Sequence, residues 1–471
     1  MDDPIKACLS ILPHEKLIEI LLALDSLEDI FKACSSSTIF ARVCQDDHFW
    51  KLRYRQDFGS GRPSEEMLKR KIPWREFYRL MTENISFPFS VGYRHLGIID
   101  SNGQLSMLGR NMYGQLGNGT KISTNIPQIV LSNVRQISCG FGTTGAITKD
   151  GEVYSWGNNR QGKLGIGSHH DGDVLVPRLI KWSKKARKIV YSTSSSIALT
   201  EDGEVYVWGR LTNNLYTEVP LKLNLPSKEK CIDVSSGRQS FAAVTQSGKL
   251  YMWGDNVNYL YLSKNWAKWL IDASIIYNSD DPEHTKFIRP TLIPFSEHAQ
   301  QISMGRSYLG VVTMKRELWM MGRNSLHQIG KYISSREEVN IYRKLLIKVN
   351  TLFDDTVILR LVLIKFPSQS NSVPSQVLYF NSRWRTSSVK LKDGRIFMWG
   401  DNNDKQIGPV KDYERSIGLF GVLGGREIPK PTEIRLDHPI VYIMAGGEFT
   451  VAITDDDYIN LWGKKLFSRE N

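Results

Sequence analysis

The stretch DGEVYSWGNNRQGKLGIG, Asp150 to Gly167, is the part of this chain whose composition most suggests chemistry, with five glycines and two cations after a strand-like Tyr-Ser-Trp. Glycine-rich loops can cradle phosphate because the backbone approaches a ligand closely, but the same tolerance of positive φ serves tight turns. A phosphate loop needs Gly-Lys followed by Ser or Thr, and Gly162-Lys163 and Gly248-Lys249 are each followed by leucine. No GxGxxG follows a strand ahead of a helix, and neither an HExxH helix nor a nucleophile elbow occurs. His169 and His170 stand beside Asp171 and Asp173, and as an exposed loop between strands they read as solvated, not metal-bound. The cysteines Cys8, Cys34, Cys44, Cys139 and Cys231 show no CxxC spacing, so neither a zinc site nor a disulfide framework is expected and a reducing compartment fits best. No catalytic residue, metal or cofactor is assigned, and a non-enzymatic role is expected.

The elements around that stretch say what it does instead. Its strand end Trp156-Gly157 recurs as Trp208-Gly209, Trp253-Gly254, Trp399-Gly400 and Trp462-Gly463, and in weaker form as Leu108-Gly109 and Met321-Gly322, seven marks in all. Each mark closes a unit such as GAITKDGEVYSWG or IALTEDGEVYVWG, which reads as two antiparallel strands joined by a hairpin. Asn102-Gly103, Asp150-Gly151, Asp202-Gly203, Ser247-Gly248 and Asp393-Gly394 suit two-residue turns that need positive φ, while Lys315-Arg316 and Asp456-Asp457 depart from the pattern. Tyr154 with Trp156, Tyr206 with Trp208 and Tyr251 with Trp253 lie two apart and share a strand face, so stacked sheets would bury aromatic rows. A further apolar run before most units (VRQISCG, CIDVSSG, QQISMG, IVYIMAG) supplies another strand. Seven units of this size predict a mainly β fold, a seven-bladed β-propeller, with a linear β-solenoid as the alternative.

These repeats resemble those of the regulator of chromosome condensation family, whose unit ends in Tyr-x-Trp-Gly and an Asn-x-x-Gly-Gln-Leu-Gly-x-Gly link. The link stands here as NMYGQLGNG (Asn111 to Gly119) and NRQGKLGIG, and in eroded form as NSLHQIG (Asn324 to Gly330) and NNDKQIG (Asn402 to Gly408). It is missing after Trp208, Trp253 and Trp462. The resemblance spans about residues 85 to 463 and places a propeller over 85–471.

The first 55 residues have another period. Leu17, Ile20, Leu21 and Leu24 fall on one face of a helix, Pro13 suits its first turn, and Asp46 or Asp47 can cap a later helix carrying Phe49, Trp50 and Tyr54. The order Leu12-Pro13, amphipathic helix, Phe40, then Phe49-Trp50-Lys51 resembles an F-box between about Leu9 and Arg53. That resemblance implies a small all-α module docking a Skp-family adaptor of a cullin-based ubiquitin ligase, through Leu12, Pro13, Leu17, Ile20, Leu21, Leu24, Phe49 and Trp50. A helical cap on the propeller is the alternative. Residues 56–84 read as a basic linker with a helix at PWREFYRLM, where Trp74, Phe77 and Tyr78 pack on a neighbour.

At 471 residues and 41% apolar content the chain can build large cores, and its net charge of +12 favours acidic partners. No stretch approaches the roughly 18 apolar residues of a membrane span, so a soluble protein of cytosol or nucleus is expected. Two insertions, Asp255 to Pro294 and Lys331 to Tyr379, are the candidate target surface, with Trp266, Trp269 and Tyr277 as possible anchors. The leading functional expectation is a substrate receptor of a Skp-cullin-F-box ubiquitin ligase, its propeller holding an unknown protein. Alternatives are nucleotide exchange on a small GTPase with chromatin or nucleic-acid contact, and a plain scaffold.

Overall fold

The structure, a computed structural model, describes residues 12–24, 30, 33–35, 37–58, 74, 88–167, 172–211, 215–238, 240–254, 290–330, 357–367, 375–408, 427–456 and 458–464. The chain forms two compact units, a helical one drawn mainly from Met1–Ile85 and one that carries all the sheets.

In the helical unit, α1 (His14–Leu22), α2 (Thr38–Gln45) and α3 (Asp47–Phe58) pack against one another. Their starts are local: Ser37 Oγ accepts the Ile39 N–H at 3.3 Å, and Asp46 Oδ1 accepts the His48 N–H at 2.9 Å. Leu17, Ile18, Leu21, Phe40, Val43, Phe49 and Trp50 are buried. The Trp50 indole donates to Cys44 O at 2.8 Å, and Trp74 lies under the Lys51 ammonium, 5.8 Å from ring centroid to Nζ. Cys34 and Cys44 are bridged, their Cα atoms 6.1 Å apart, so one disulfide stands where none was expected. The two cysteines are far from any CxxC spacing, and only helix packing brings them together.

The second unit is the seven-bladed propeller. Blade 1 is Phe89–Val91, His95–Ile99, Leu105–Gly109 and Thr124–Leu131, and blades 2 to 6 occupy residues 134–179, 186–223, 231–293, 299–364 and 377–434. Blade 7 is Ile440–Ala445, Phe449–Thr454 and Ile459–Gly463, three strands among the described residues. Each blade is an antiparallel meander in chain order. The turn between second and third strands is a hairpin, but with three loop residues where two were expected: Thr148 N–H reaches Glu152 O at 2.9 Å, Gly151 N–H reaches Thr148 O at 3.0 Å, and in that loop Gly151 takes φ +84. The departing pair Lys315-Arg316 keeps that turn, with Arg316 forced to φ +61.

The core lies between blades. Ile99, Leu105, Met107 and Leu116 of blade 1 and its link pack with Val134, Ile137, Cys139, Ala146 and Trp156 of blade 2. The blades close into a ring, which excludes the solenoid: Gly447 of blade 7 donates to Gly92 O of blade 1 at 3.2 Å, and Phe89 meets Tyr442 edge-on at 6.4 Å.

Candidate functional site

The glycine-rich link is a clasp. Asn111 Oδ1 accepts the Leu116 N–H at 2.9 Å, and Asn159, Asn324 and Asn402 make the same bond to Leu164, Ile329 and Ile407. Gln115 O then accepts the Trp156 indole N–H of the next blade at 2.9 Å, Lys163 O that of Trp208 at 3.0 Å, and Gln328 O that of Trp399 at 2.9 Å. The glycine two residues on must lack a side chain, because a Cβ on Gly117 would stand 2.7 Å from Trp156 Nε1 and one on Gly165 2.8 Å from Trp208 Nε1. The glycines serve the clasp; the eroded link after blade 5 closes by both bonds, while the one after blade 6 keeps the asparagine bond and leaves the buried Trp462 indole N–H without a partner.

In an antiparallel meander the first-to-second and third-to-fourth connections leave by the same end. That end carries the seven first turns, which converge around the axis. Tyr93 N–H donates to Gly140 O at 3.3 Å, Phe141 N–H to Ser192 O at 3.2 Å, Arg238 N–H to Arg306 O at 3.1 Å and Arg306 N–H to Trp384 O at 2.6 Å. Ser192 Oγ reaches Gly237 O, and Ser194 Oγ reaches Arg238 O at 3.1 Å. A chain of hydrogen bonds thus runs from blade 7 through blade 6, turn to turn.

Three half-buried rings from blades 1, 2 and 6 meet on this face. Tyr93 lies 5.0 Å from Phe141 and 4.9 Å from Trp384, and Phe141 lies 5.7 Å from Trp384. Trp384 holds φ +53, a left-handed conformation that a bulky residue adopts only when its surroundings impose it. Beside it Arg383 of blade 6 reaches across to Cys139 O of blade 2, at 2.5 Å, and to Ser90 Oγ of blade 1, at 3.5 Å.

Charge on the face is uneven. Glu448 is held by Arg94 at 2.5 Å, by Lys464 at 3.5 Å and by the Tyr93 hydroxyl. Burial raises its carboxyl, but the bonds from Tyr93 and Arg94 outweigh that and hold it below its ordinary range. Burial, reinforced by Glu448, pushes the Tyr93 phenol up to about 12. Toward blades 4 to 6 the charges are arginines: Arg306 is weakened as a cation by burial and then by repulsion from Arg238, Arg385 and Arg323.

The residues expected to make functional contacts fall elsewhere. Leu17, Leu21, Phe49 and Trp50 are core of the helical unit, Leu24 is half-buried, and only Leu12, Pro13 and Ile20 are exposed. A helical unit this small spends most of its apolar residues on itself. Trp266, Trp269, Tyr277, His169 and His170 lie outside the described residues. At the end that carries the first turns the chain departs at Gly254 and Arg323 and rejoins at Thr291 and Val357, so parts of the two expected insertions are blade: Thr291–Ile293 and Val357–Ile364 are fourth strands, and Val377–Arg383 opens blade 6. Tyr93, Phe141, Arg238, Arg306 and Trp384 were missed; they share one position in the turn after the first strand, where residue type changes from blade to blade as it does at the next position, which holds Arg94, Arg385 and Glu448.

A ring of link-clasped blades whose first turns converge on one face defines an RCC1-like propeller. The profile of the RCC1-like domain matches residues 81–466, and the chain belongs to that family. It is 34% identical over 159 residues to the E3 ubiquitin-protein ligase HERC2 of Homo sapiens, covering 31% of this chain and 3% of that one. It is 33% identical over 127 residues to the X-linked retinitis pigmentosa GTPase regulator of Canis lupus familiaris, covering 26% and 12%. The chain thus spans a small part of the length of these relatives. The structure of Prp20p from Saccharomyces cerevisiae, described with its binding to Gsp1p and histones, superposes with a TM-score of 0.59 at 17% identity, covering 76% of this chain and 80% of that one. No F-box profile matches the N-terminal residues. Among the described residues no helix is long and apolar enough to cross a membrane.

Proposed function

We propose that this chain acts by binding, as a regulatory propeller that docks a partner protein on its turn face, and that a small GTPase is the partner class. The observation that carries the reading is the meeting of Tyr93, Phe141 and Trp384, three half-buried aromatic rings on a face made of turns, with arginines toward blades 4 to 6. Tyrosine, tryptophan and arginine dominate binding hot spots because they combine large contact area with a polar handle. A GTPase regulator among the relatives and the Gsp1p-binding propeller among the structures support the partner class. The test is release of a fluorescent nucleotide from a purified small GTPase, and its capture in nucleotide-free form, by the full chain. Both are expected to fall at least ~10-fold in Trp384→Ala, as for loss of one hot-spot residue.

The substrate-receptor reading stands second. Its specific support is in the helical unit, where Leu12 and Ile20 stay 38% and 40% exposed while their neighbours are buried. Loss of Skp-family adaptor capture in a Leu12→Ala, Pro13→Ala variant would support it, and absence of capture by the unaltered chain would reject it.

A further inference from the structure

We infer that the side of the turn face built by Arg238, Arg306 and Arg385 binds a run of aspartate or glutamate side chains on the docked protein, an acidic peptide segment. This rests on the docking reading of the face.

The three arginines come from consecutive first turns, of blades 4, 5 and 6. Their register is set by backbone bonds, Arg238 N–H to Arg306 O at 3.1 Å and Arg306 N–H to Trp384 O at 2.6 Å. The strongest charges acting on Arg306 are Arg238, Arg385 and Arg323, all of its own sign. Arg306 is half-buried, while Arg238 and Arg385 are exposed. Gathering like charges costs free energy unless an anion joins them, and an arginine fork accepts a carboxylate through two parallel hydrogen bonds. Glu448 pairs with Arg94 and Asp401 lies 3.9 Å from Arg385, an ion pair at the edge of the set, whereas among the described residues no carboxylate pairs with Arg238 or Arg306.

A peptide fits better than a nucleic acid. Asp404 and Glu448 occupy the blade 6 and 7 side of the face and would repel a phosphate backbone crossing it, whereas a short acidic segment can end at Arg238 and Arg306 of blades 4 and 5, with apolar neighbours on the aromatic rings.

The experiment is fluorescence anisotropy of a labelled deca-glutamate peptide with the full chain. Arg306→Glu is expected to weaken binding about 10-fold or more, as for loss of a charge-assisted bond with added repulsion. The exposed Arg238→Glu should weaken it several-fold, and Lys430→Glu, on an outer strand, should leave it unchanged. Matching melting temperatures exclude misfolding, and if Arg306→Glu does not fold, Arg238→Glu decides. Equal binding by wild type and both arginine variants overturns the inference. So does a single-stranded oligonucleotide that displaces the peptide and itself loses affinity in Arg306→Glu, because the site would then serve nucleic acid. Loss of GTPase capture in Trp384→Ala alongside unchanged peptide binding in the arginine variants would leave the docking reading standing and remove this one.

Discussion

The indole N–H of Trp156 in blade 2 is hydrogen-bonded at 2.9 Å to the carbonyl of Gln115 in the link leaving blade 1, and Trp208 and Trp399 repeat that bond to the links before them. Where a link is present, the next blade has tryptophan: Trp156, Trp208, Trp399 and Trp462. Where it is missing, the next blade has Leu108 or Met321, or has Trp253, whose buried indole N–H finds no partner, as is also true of Trp462 after the eroded link of blade 6.

Trp208→Phe should therefore destabilise more than Trp253→Phe, although both remove the same atoms. The first takes from Lys163 O one of its two donors, the Ser196 hydroxyl remaining at 2.8 Å, and the second breaks no bond, a difference of up to about 1 kcal/mol. Denaturant midpoints of the two variants measure it, and equal losses would refute the clasp.

Close approach and backbone conformation can be separated at the link glycines. Gly165 (φ +74) and Gly167 (φ +88) both resist a side chain, but a Cβ on Gly165 meets Trp208 at 2.8 Å and one on Gly167 meets nothing nearer than 3.8 Å. Gly165→Ala is expected to cost the left-handed penalty of about 1 kcal/mol plus a clash, and Gly167→Ala the penalty alone.

His327 and Lys405 occupy the place of Gly114 in the eroded links and sit at φ +57 and φ +60. His327→Gly and Lys405→Gly should each stabilise the propeller by up to about 1 kcal/mol by removing left-handed strain, read as a raised melting temperature.

Lys163 fills the link position that glutamine fills at Gln115, Gln328 and Gln406, and it is buried with Nζ donating to Phe141 O at 3.0 Å and Thr193 O at 3.3 Å. Burial lowers its pKa from 10.5 to about 7. Between those values the unfolded chain binds more protons than the folded one, so stability rises with pH; below about 7 the cost is fully present. Melting temperatures from pH 7 to 9 should climb more steeply in wild type than in Lys163→Gln.

How much of this was legible follows from where repetition carries information. Seven Trp-Gly or weaker marks and the Asp-Gly hairpins spelled out the blades, because every unit must solve the same turn and the same burial. The binding face was not legible. Tyr93 and Trp384 stand 291 positions apart in the numbering, and only ring closure puts their rings 4.9 Å from each other. Their signal was the opposite of repetition, a turn position after each first strand whose residue type changes from blade to blade. In the helical unit the apolar face of α1 was readable, but periodicity does not tell an inward leucine such as Leu21 from an outward isoleucine such as Ile20 once other helices pack on that face.

The docking claim meets its most direct test in site-specific photo-crosslinking with a purified nucleotide-free GTPase, with p-benzoylphenylalanine placed at position 384 and, in a second protein, at position 430 on the outer strand of blade 6. The account predicts cross-links from position 384 and none from 430; cross-links from 430 with none from 384 would contradict it.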